Sequence, residues 1–301
     1  MHKKYLILIV GPTAVGKTDL CVNLARKLRT EIISCDSRQF YKELSIGTAK
    51  PSASEMGGVR HHFIDSHHIT EYYSAGDFER DVNVFLEGYF KENAAVIMTG
   101  GSGLFVKAIT HGLDQMPEAP LEIRNRLMEA LKKEGLEPLQ KQLSELDPEY
   151  YSAMDTMNSQ RVVRALEVCL HTGKPFSGFL KNSKTERDYE IIKIALERPR
   201  EELYARINAR MDKMLEDGLL EEVKSLEDFK SHNALQTVGY KEVFCFFDGE
   251  YSYEEMVELL KRNSRRYAKR QMTWFKNQDV FEWFNPGNLK EIEIFLSEKM
   301  K

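Results

Sequence analysis

Residues 11–18 read Gly-Pro-Thr-Ala-Val-Gly-Lys-Thr and match the pattern G-x-x-x-x-G-K-[ST]. Each part has a physical use. Gly11 and Gly16 let the backbone curl through Pro12, Thr13, Ala14 and Val15, so that several N–H groups point inward. A helix N-terminus behind the loop adds partial positive charge. Lys17 brings a full charge to terminal phosphates, and the Thr18 hydroxyl can ligate Mg2+. The loop signals a bound polyphosphate without specifying ATP. A nucleotide hydrolase would place an aspartate at the end of a later strand to organise Mg2+ and water, but residues 98–103, MTGGSG, contain no acid. The acid is Asp36, at the end of the second expected strand, where small-molecule kinases often place a carboxylate facing the phosphoryl acceptor. The plain alternatives for Asp36 are a helix cap and an outer-sphere Mg2+ ligand.

These groups need a scaffold, and the hydrophobic pattern supplies one. Tyr5–Val10 is a short apolar, β-branched run suited to a buried strand, and Asp19–Leu28 carries apolar residues at helical spacing. Glu31–Cys35, Ala94–Met98, Tyr189–Leu196 and Val280–Phe284 read as further strands, and Asp77–Phe90 as a helix. Thr99–Gly103 reads as a glycine-rich turn into another helix. Strands alternating with helices predict a parallel sheet flanked by helices, with ligands where strand ends meet helix starts. Residues 121–180 are helix-forming without a convincing strand, flanked by PEAP at 117–120 and GKPFSG at 173–178. The expected organisation is an α/β core at 1–116 and 189–301 with an all-helical insertion at 117–188.

The chain has 301 residues, 42% hydrophobic and 30% charged, ordinary for a globular protein with a sizeable core. No apolar run approaches the roughly 18 residues of a membrane span. His2, Lys3 and Lys4 precede only six apolar residues, too few for a signal-peptide core, so a cytoplasmic location is expected. Cys21, Cys35, Cys169 and Cys245 form no C-x-x-C pair, which argues against a zinc site or disulfide framework. The paired histidines His61-His62 and His67-His68 have no completing acid or cysteine spacing, so structural or surface roles are expected. The formal charge of −4 argues mildly against nucleic-acid binding. Residues 261–277, KRNSRRYAKRQMTWFKN, nevertheless carry seven positive charges and no negative one, interleaved with Tyr267, Trp274 and Phe275. Such a run is either a solvated helix face or a nucleic-acid surface.

A longer series of motifs is more specific. GPTAVGKT, DSRQFYKELSIGTAKP at 36–51, HHFID at 61–65, YSAGDF at 73–78 and TGGSGLFVKA at 99–108 follow in order. QRVVRALEV at 160–168, VGY at 238–240 and RRYAKRQMTW at 265–274 continue the series. Together they span most of the chain, which resembles the tRNA dimethylallyltransferase (isopentenyl-tRNA transferase) family of bacterial type. The resemblance implies a core similar to P-loop kinases and transfer of a dimethylallyl group from dimethylallyl diphosphate to N6 of the adenosine 3′ to the anticodon, with Mg2+. It also implies an inserted helical domain that grips the anticodon stem-loop; a monomer is expected. By that resemblance Gly11–Thr18 hold the donor diphosphate, with Arg210 nearby. Asp36, Ser37, Arg38 and Gln39 meet the target adenine, Asp36 accepting from its N6 amine. Ser102 stands where many members have threonine and keeps the hydroxyl for an implied tRNA contact. Lys17, Asp36 and Ser102 form the expected catalytic set. Further tRNA contacts are implied for Arg124, for Gln160, Arg161, Val162, Val163 and Arg164, and for Gln236, Thr237, Val238, Gly239, Tyr240 and Lys241. Arg161 and Arg164 share a helix face, and a structural ion pair is a competing reading for each. Arg60 and Ser45 depart from the proline and aspartate of many members, at positions without an expected chemical role. The cysteine spacing excludes the C-terminal zinc finger of eukaryotic relatives.

A small-molecule or nucleotide kinase would also explain the loop and Asp36, though not the acid-free turn at 100–103 or the basic stretch. A non-catalytic RNA-binding module would leave the phosphate loop idle.

Overall fold

In the computed structural model the described residues are 3–181 and 186–301. His2 of the basic patch and residues 182–185 of the expected insertion lie outside them. The chain divides into two compact units, Met1–Thr110 with Glu186–Lys301, and His111–Thr185. These limits differ by a few residues from the 117–188 expectation, for local reasons. Met116 packs on the core of the smaller unit, and Asp114 accepts a hydrogen bond from Lys181 N within it. Arg187, on the other side, is held in the larger unit by Glu79, Asn83 and the Ala108 carbonyl.

In the larger unit the elements run β1 (Tyr5–Val10), α1 (Lys17–Leu28), β2 (Ile32–Ser34), α2 (Ala53–Met56), β3 (His61–His62), α3 (Ala75–Tyr89), β4 (Ala95–Gly100) and α4 (Gly103–Thr110). The smaller unit holds α5 (Leu121–Glu134), α6 (Glu137–Leu146), α7 (Pro148–Ala153) and α8 (Ser159–Thr172). The chain then continues in the larger unit with β5 (Glu190–Leu196), α9 (Arg200–Glu216), α10 (Leu219–Ser225), α11 (Tyr240–Phe247), α12 (Tyr253–Gln278), β6 (Glu282–Phe284) and α13 (Leu289–Lys299).

Among the described residues the sheet has the order β3-β2-β4-β1-β5-β6, every pair parallel. β1 is central and its six residues are all buried. The two-residue period of a strand divides them between the faces. Tyr5, Ile7 and Ile9 pack with α1, α9 and α13, whereas Leu6, Leu8 and Val10 pack with α3, α4 and Phe275 of α12. A third cluster joins Tyr41 and Leu44 to α9, α10, α11 and the start of α12 through Met211, Met214, Tyr240, Phe244, Met256 and Leu260. Helix starts are set locally. Ser74 and Asp77 form a reciprocal capping box on α3, as Ser252 and Glu255 do on α12. The 73–78 motif is therefore in part a helix-start signal.

The expected strands and helices are present, with ends that coincide or shift by at most two residues. β4 extends through Thr99 and Gly100, which the glycine-rich pattern places in the turn. The strand at His61–His62 was missed, because two residues at a sheet edge carry no periodicity.

Candidate active site

The phosphate loop leaves the end of β1 and enters α1, and its conformation is held from outside. Gly16 caps α1 with φ 109° and no side-chain hydrogen bond, so the first N–H groups of the helix keep their donors for an anion. Ala14 is left-handed at φ 62°, unusual for a residue with a Cβ. Arg206 Nε donates to the Ala14 carbonyl at 2.8 Å, Arg198 Nε to the Val15 carbonyl at 2.7 Å, and Arg210 Nη1 to Thr13 Oγ1 at 3.3 Å. Arg206 and Arg210 lie one turn apart on α9 and both line the cavity described below. Arg210 is tuned below the usual guanidinium range, first by burial and then by Arg206.

Lys17 Nζ donates to the carbonyls of Gly11 and Pro12 at 3.0 and 2.9 Å. Burial, and then the neighbouring Arg210, bring its pKa down to about 8, while Asp36 opposes the shift. A pair of cations this poorly solvated creates a strong demand for an anion.

Asp36 follows β2. Its Oδ1 accepts from Arg38 N at 3.0 Å, which fixes the carboxylate over its own turn. Ser102 lies just before α4; its Oγ accepts from Ser37 N at 3.0 Å and donates to Ser37 Oγ at 3.2 Å. The 36–39 turn and the 101–103 turn are thus one hydrogen-bonded unit. Gln39 Nε2 continues the network to the carbonyls of Thr48 and Ala49, both at 3.2 Å.

Thr13, Lys17, Thr18, Asp36, Arg38, Gln39 and Arg210 border one cavity of about 840 Å3. Its wall also includes Thr237, Val238 and Gly239, with apolar surface from Ile46, Ile207, Met211 and Met214. Polar, cationic and apolar sectors therefore coexist in a single space within the larger unit. The oxygen donors Thr18 and Asp36 border it too, the hard set that suits Mg2+ beside a diphosphate. Among the described residues no cluster of three or more His, Cys, Asp or Glu forms a closed metal cage.

Several implied contacts have a different setting. Val162 and Val163 are fully buried in the core of the smaller unit, because their side of α8 faces α5 and α6. Their side chains cannot present a surface to RNA. Arg124 and Arg164 both pair with Glu167, at 2.9 and 3.0 Å, and its side chain is only 3% exposed. The competing ion-pair reading holds for Arg164, while Gln160 and Arg161 are exposed. Tyr240 is fully buried, its hydroxyl donating to Glu222 Oε1 at 2.6 Å. Gln236 and Lys241 are exposed, Gln236 donating to the Lys230 carbonyl.

Sequence reasoning missed Arg198, Arg206, Gln271 and Glu222. Glu222 accepts from Ser45 N, Ile46 N and Gly47 N at 3.1, 2.7 and 3.0 Å, pinning the loop that walls the cavity. Only Arg206 had a signal, its i, i+4 spacing to Arg210. The histidines found local partners: His62 bonds Glu31 at 2.5 Å, His68 bonds Glu43 at 2.9 Å, and His67 stacks on Tyr73.

A family model described as IPP transferase matches residues 39–278. The chain belongs to this family. It is 50% identical to a tRNA dimethylallyltransferase of Cytophaga hutchinsonii over 99% of this chain and 98% of that one. It is 49% identical to another of Christiangramia forsetii, with 98% of each covered. Among solved structures, a full-length tRNA isopentenylpyrophosphate transferase of Bacillus halodurans is 38% identical with a TM-score of 0.73, covering 99% of this chain and 97% of that one. A eukaryotic dimethylallyltransferase acting on tRNA gives a TM-score of 0.79 at 25% identity, covering 99% of this chain and 77% of that one. Family membership thus spans the whole length, and the loop, Asp36 and Ser102 lie within the part these relatives cover. No helix among the described residues is long and apolar enough to cross a membrane.

Proposed function

We propose that the protein is a tRNA dimethylallyltransferase: it transfers a dimethylallyl group to N6 of the adenosine 3′ to the anticodon and releases diphosphate. The observation that carries this reading is the single cavity joining a phosphate loop, a carboxylate on the acceptor side and apolar wall residues, in a chain of this family. A kinase would also use the loop and Asp36, and it is the family match that favours prenyl transfer over it. Dimethylallyl diphosphate is the proposed donor, its diphosphate on residues 13–18 and its hydrocarbon toward Ile46, Met211 and Met214.

The chemistry follows from the groups. The adenine N6 amine is a weak nucleophile because its lone pair is delocalised into the ring. The donor carbon is allylic, so positive charge spreads over three carbons as its bond to oxygen breaks. The new N6–C1 bond forms as the C1–O bond of the donor breaks, the electron pair leaves with diphosphate, and Asp36 takes the N6 proton. Lys17, the loop N–H groups and Arg210 stabilise the departing charge. Mg2+, held by Thr18 and diphosphate oxygens, would supply further charge neutralisation. Alignment of amine and carbon is a positioning effect, and a general base contributes roughly 10²–10⁴ in rate.

The target base must leave its stack, at a cost of a few kcal/mol. The exposed Gln160 and Arg161 of the smaller unit and Lys241 of the larger are proposed tRNA contacts. On α12, Arg266, Lys269, Arg270 and Trp274 border a hollow of about 520 Å3. The flanking Lys261 and Lys276 pair with Asp212 and Glu197, whereas among the described residues those three cations have no carboxylate partner. They suit the RNA backbone, with Trp274 as a stacking surface.

The test is incubation with radiolabelled dimethylallyl diphosphate, Mg2+ and unmodified tRNA. Label is expected on N6 of the adenosine beside the anticodon. Absence of transfer, together with phosphate transfer from ATP to a metabolite, would favour the kinase.

A further inference from the structure

The phosphate loop and the turn after β4 are far apart in sequence, yet one side-chain amide joins them. Gln271 Oε1 accepts from Thr13 N at 2.9 Å, and its Nε2 donates to the Gly101 carbonyl at 3.0 Å. The residue is 7% exposed, so water competes little for either bond. We propose that Gln271 is a positioning residue for prenyl transfer, setting the spacing between the loop that holds the leaving diphosphate and the turns that carry Ser102 and Asp36. This rests on the prenyl-transfer reading above.

The connection is continuous. Gly101 precedes Ser102, whose hydroxyl takes the Ser37 N–H and donates to the Ser37 hydroxyl. Ser37 adjoins Asp36, whose carboxylate is fixed by Arg38 N. The donor side and the acceptor side of the cavity therefore meet through Gln271. An amide suits the place, because one end needs an acceptor and the other a donor. A carboxylate offers no donor, an ammonium no acceptor, and a thioether neither in useful strength. Gly101 shows the same constraint from the opposite side. A Cβ there would lie 2.2 Å from Gln271 Nε2, so any side chain at 101 has to displace the amide. α12 itself is anchored in the hydrophobic clusters on both sides of the sheet, through Ala268 and Phe275, and gives the amide a rigid base.

Misplacing reacting groups by 1 Å costs about a hundredfold in rate, so the effect belongs on the chemical step. The test is the single-turnover rate constant of preformed enzyme–donor–tRNA complex, which does not depend on the fraction of folded enzyme. Gln271→Met keeps length and volume but makes neither hydrogen bond; Gly101→Ala displaces the amide while leaving it present. Both variants are expected to lower that rate constant about 30- to 100-fold, with the KM for donor and the affinity for inorganic pyrophosphate within about threefold of wild type. A wild-type rate constant in either folded variant, or a rise in donor KM with the rate constant unchanged, would overturn the inference. If Gln271→Met fails to fold, Gly101→Ala decides alone by the same criteria. Wild-type enzyme that transfers no label would instead fail the reading of the function.

Discussion

Glu222 is the side chain whose replacement tests most directly how the cavity wall is held. Its Oε2 takes the N–H groups of Ser45 and Ile46, and its Oε1 takes Gly47 N and the Tyr240 hydroxyl. In Glu222→Gln one oxygen becomes an NH2. Tyr240 can turn its hydroxyl to accept, whereas a backbone N–H cannot, so the amide settles with its NH2 toward Gly47 and Tyr240. Gly47 N then loses its partner, a cost of about 1–3 kcal/mol for a stranded donor, and the two remaining bonds lose their charge assistance. The sum is about 3 kcal/mol. For a unit of this size that corresponds to a fall of about 6–12 °C in Tm. The loss acts on Ile46, Gly47 and Thr48, which border the cavity, so the donor KM is expected to rise as well. Gly47 has no room to move aside, since a Cβ on it would already lie 2.7 Å from the Tyr240 ring. Urea denaturation with the slope held in common gives the energy, and Tyr240→Phe supplies a control that removes one of the four bonds. A Glu222→Gln loss under about 1 kcal/mol, or an unchanged donor KM, would refute the view that this carboxylate shapes the site.

Asp36→Ala is expected to cut turnover at least about a hundredfold with tRNA affinity nearly intact; wild-type turnover would remove Asp36 from the mechanism. Lys17 carries a pKa of about 8, depressed from 10.5 by burial and Arg210, and must be protonated to hold diphosphate. The kcat/KM for donor should therefore fall as pH rises through about 8, while kcat, which reports the diphosphate-bound state, stays level to higher pH. The same depression makes the unfolded chain bind more protons between about 8 and 10.5, so this group's contribution to stability rises with pH across that window. Glu167→Gln should destabilise the smaller unit by about 1–2 kcal/mol, because the partly exposed Arg124 and Arg164 lose the charge of their common carboxylate while water takes up part of the loss. Urea unfolding checks it.

What the sequence revealed and what it hid divide along physical lines. The phosphate loop was legible because its chemistry is local: eight consecutive residues define a strand end, a turn and a helix start. The buried strands were legible from β1, where two apolar faces give an unbroken hydrophobic run. Glu222 and Gln271 were hidden because their partners lie far along the chain, and nothing in the flanking residues announces a buried acceptor. Val162 and Val163 were misplaced for the opposite reason. A motif can belong to a recognition helix while its apolar members face inward, and a linear match cannot separate the two faces. The smaller unit was visible as helix-forming sequence, but its limits depended on where Asp114, Met116 and Arg187 find partners, which no composition shift marks.

The order of strands also bears on synthesis. β1 emerges first from the ribosome and can pair with β4 once residue 100 is clear, but its second neighbour, β5, is made roughly ninety residues later. At about 5–20 residues per second the most hydrophobic strand of the protein waits about 5–20 s with one side open. In that interval the whole of His111–Thr185 appears, with a hydrophobic cluster of its own. The inserted helices should therefore be compact while the sheet that brackets them is still half built. Nascent chains arrested once residue 185 has cleared the ribosome would display it: protease should spare the insertion and cut the segments before it.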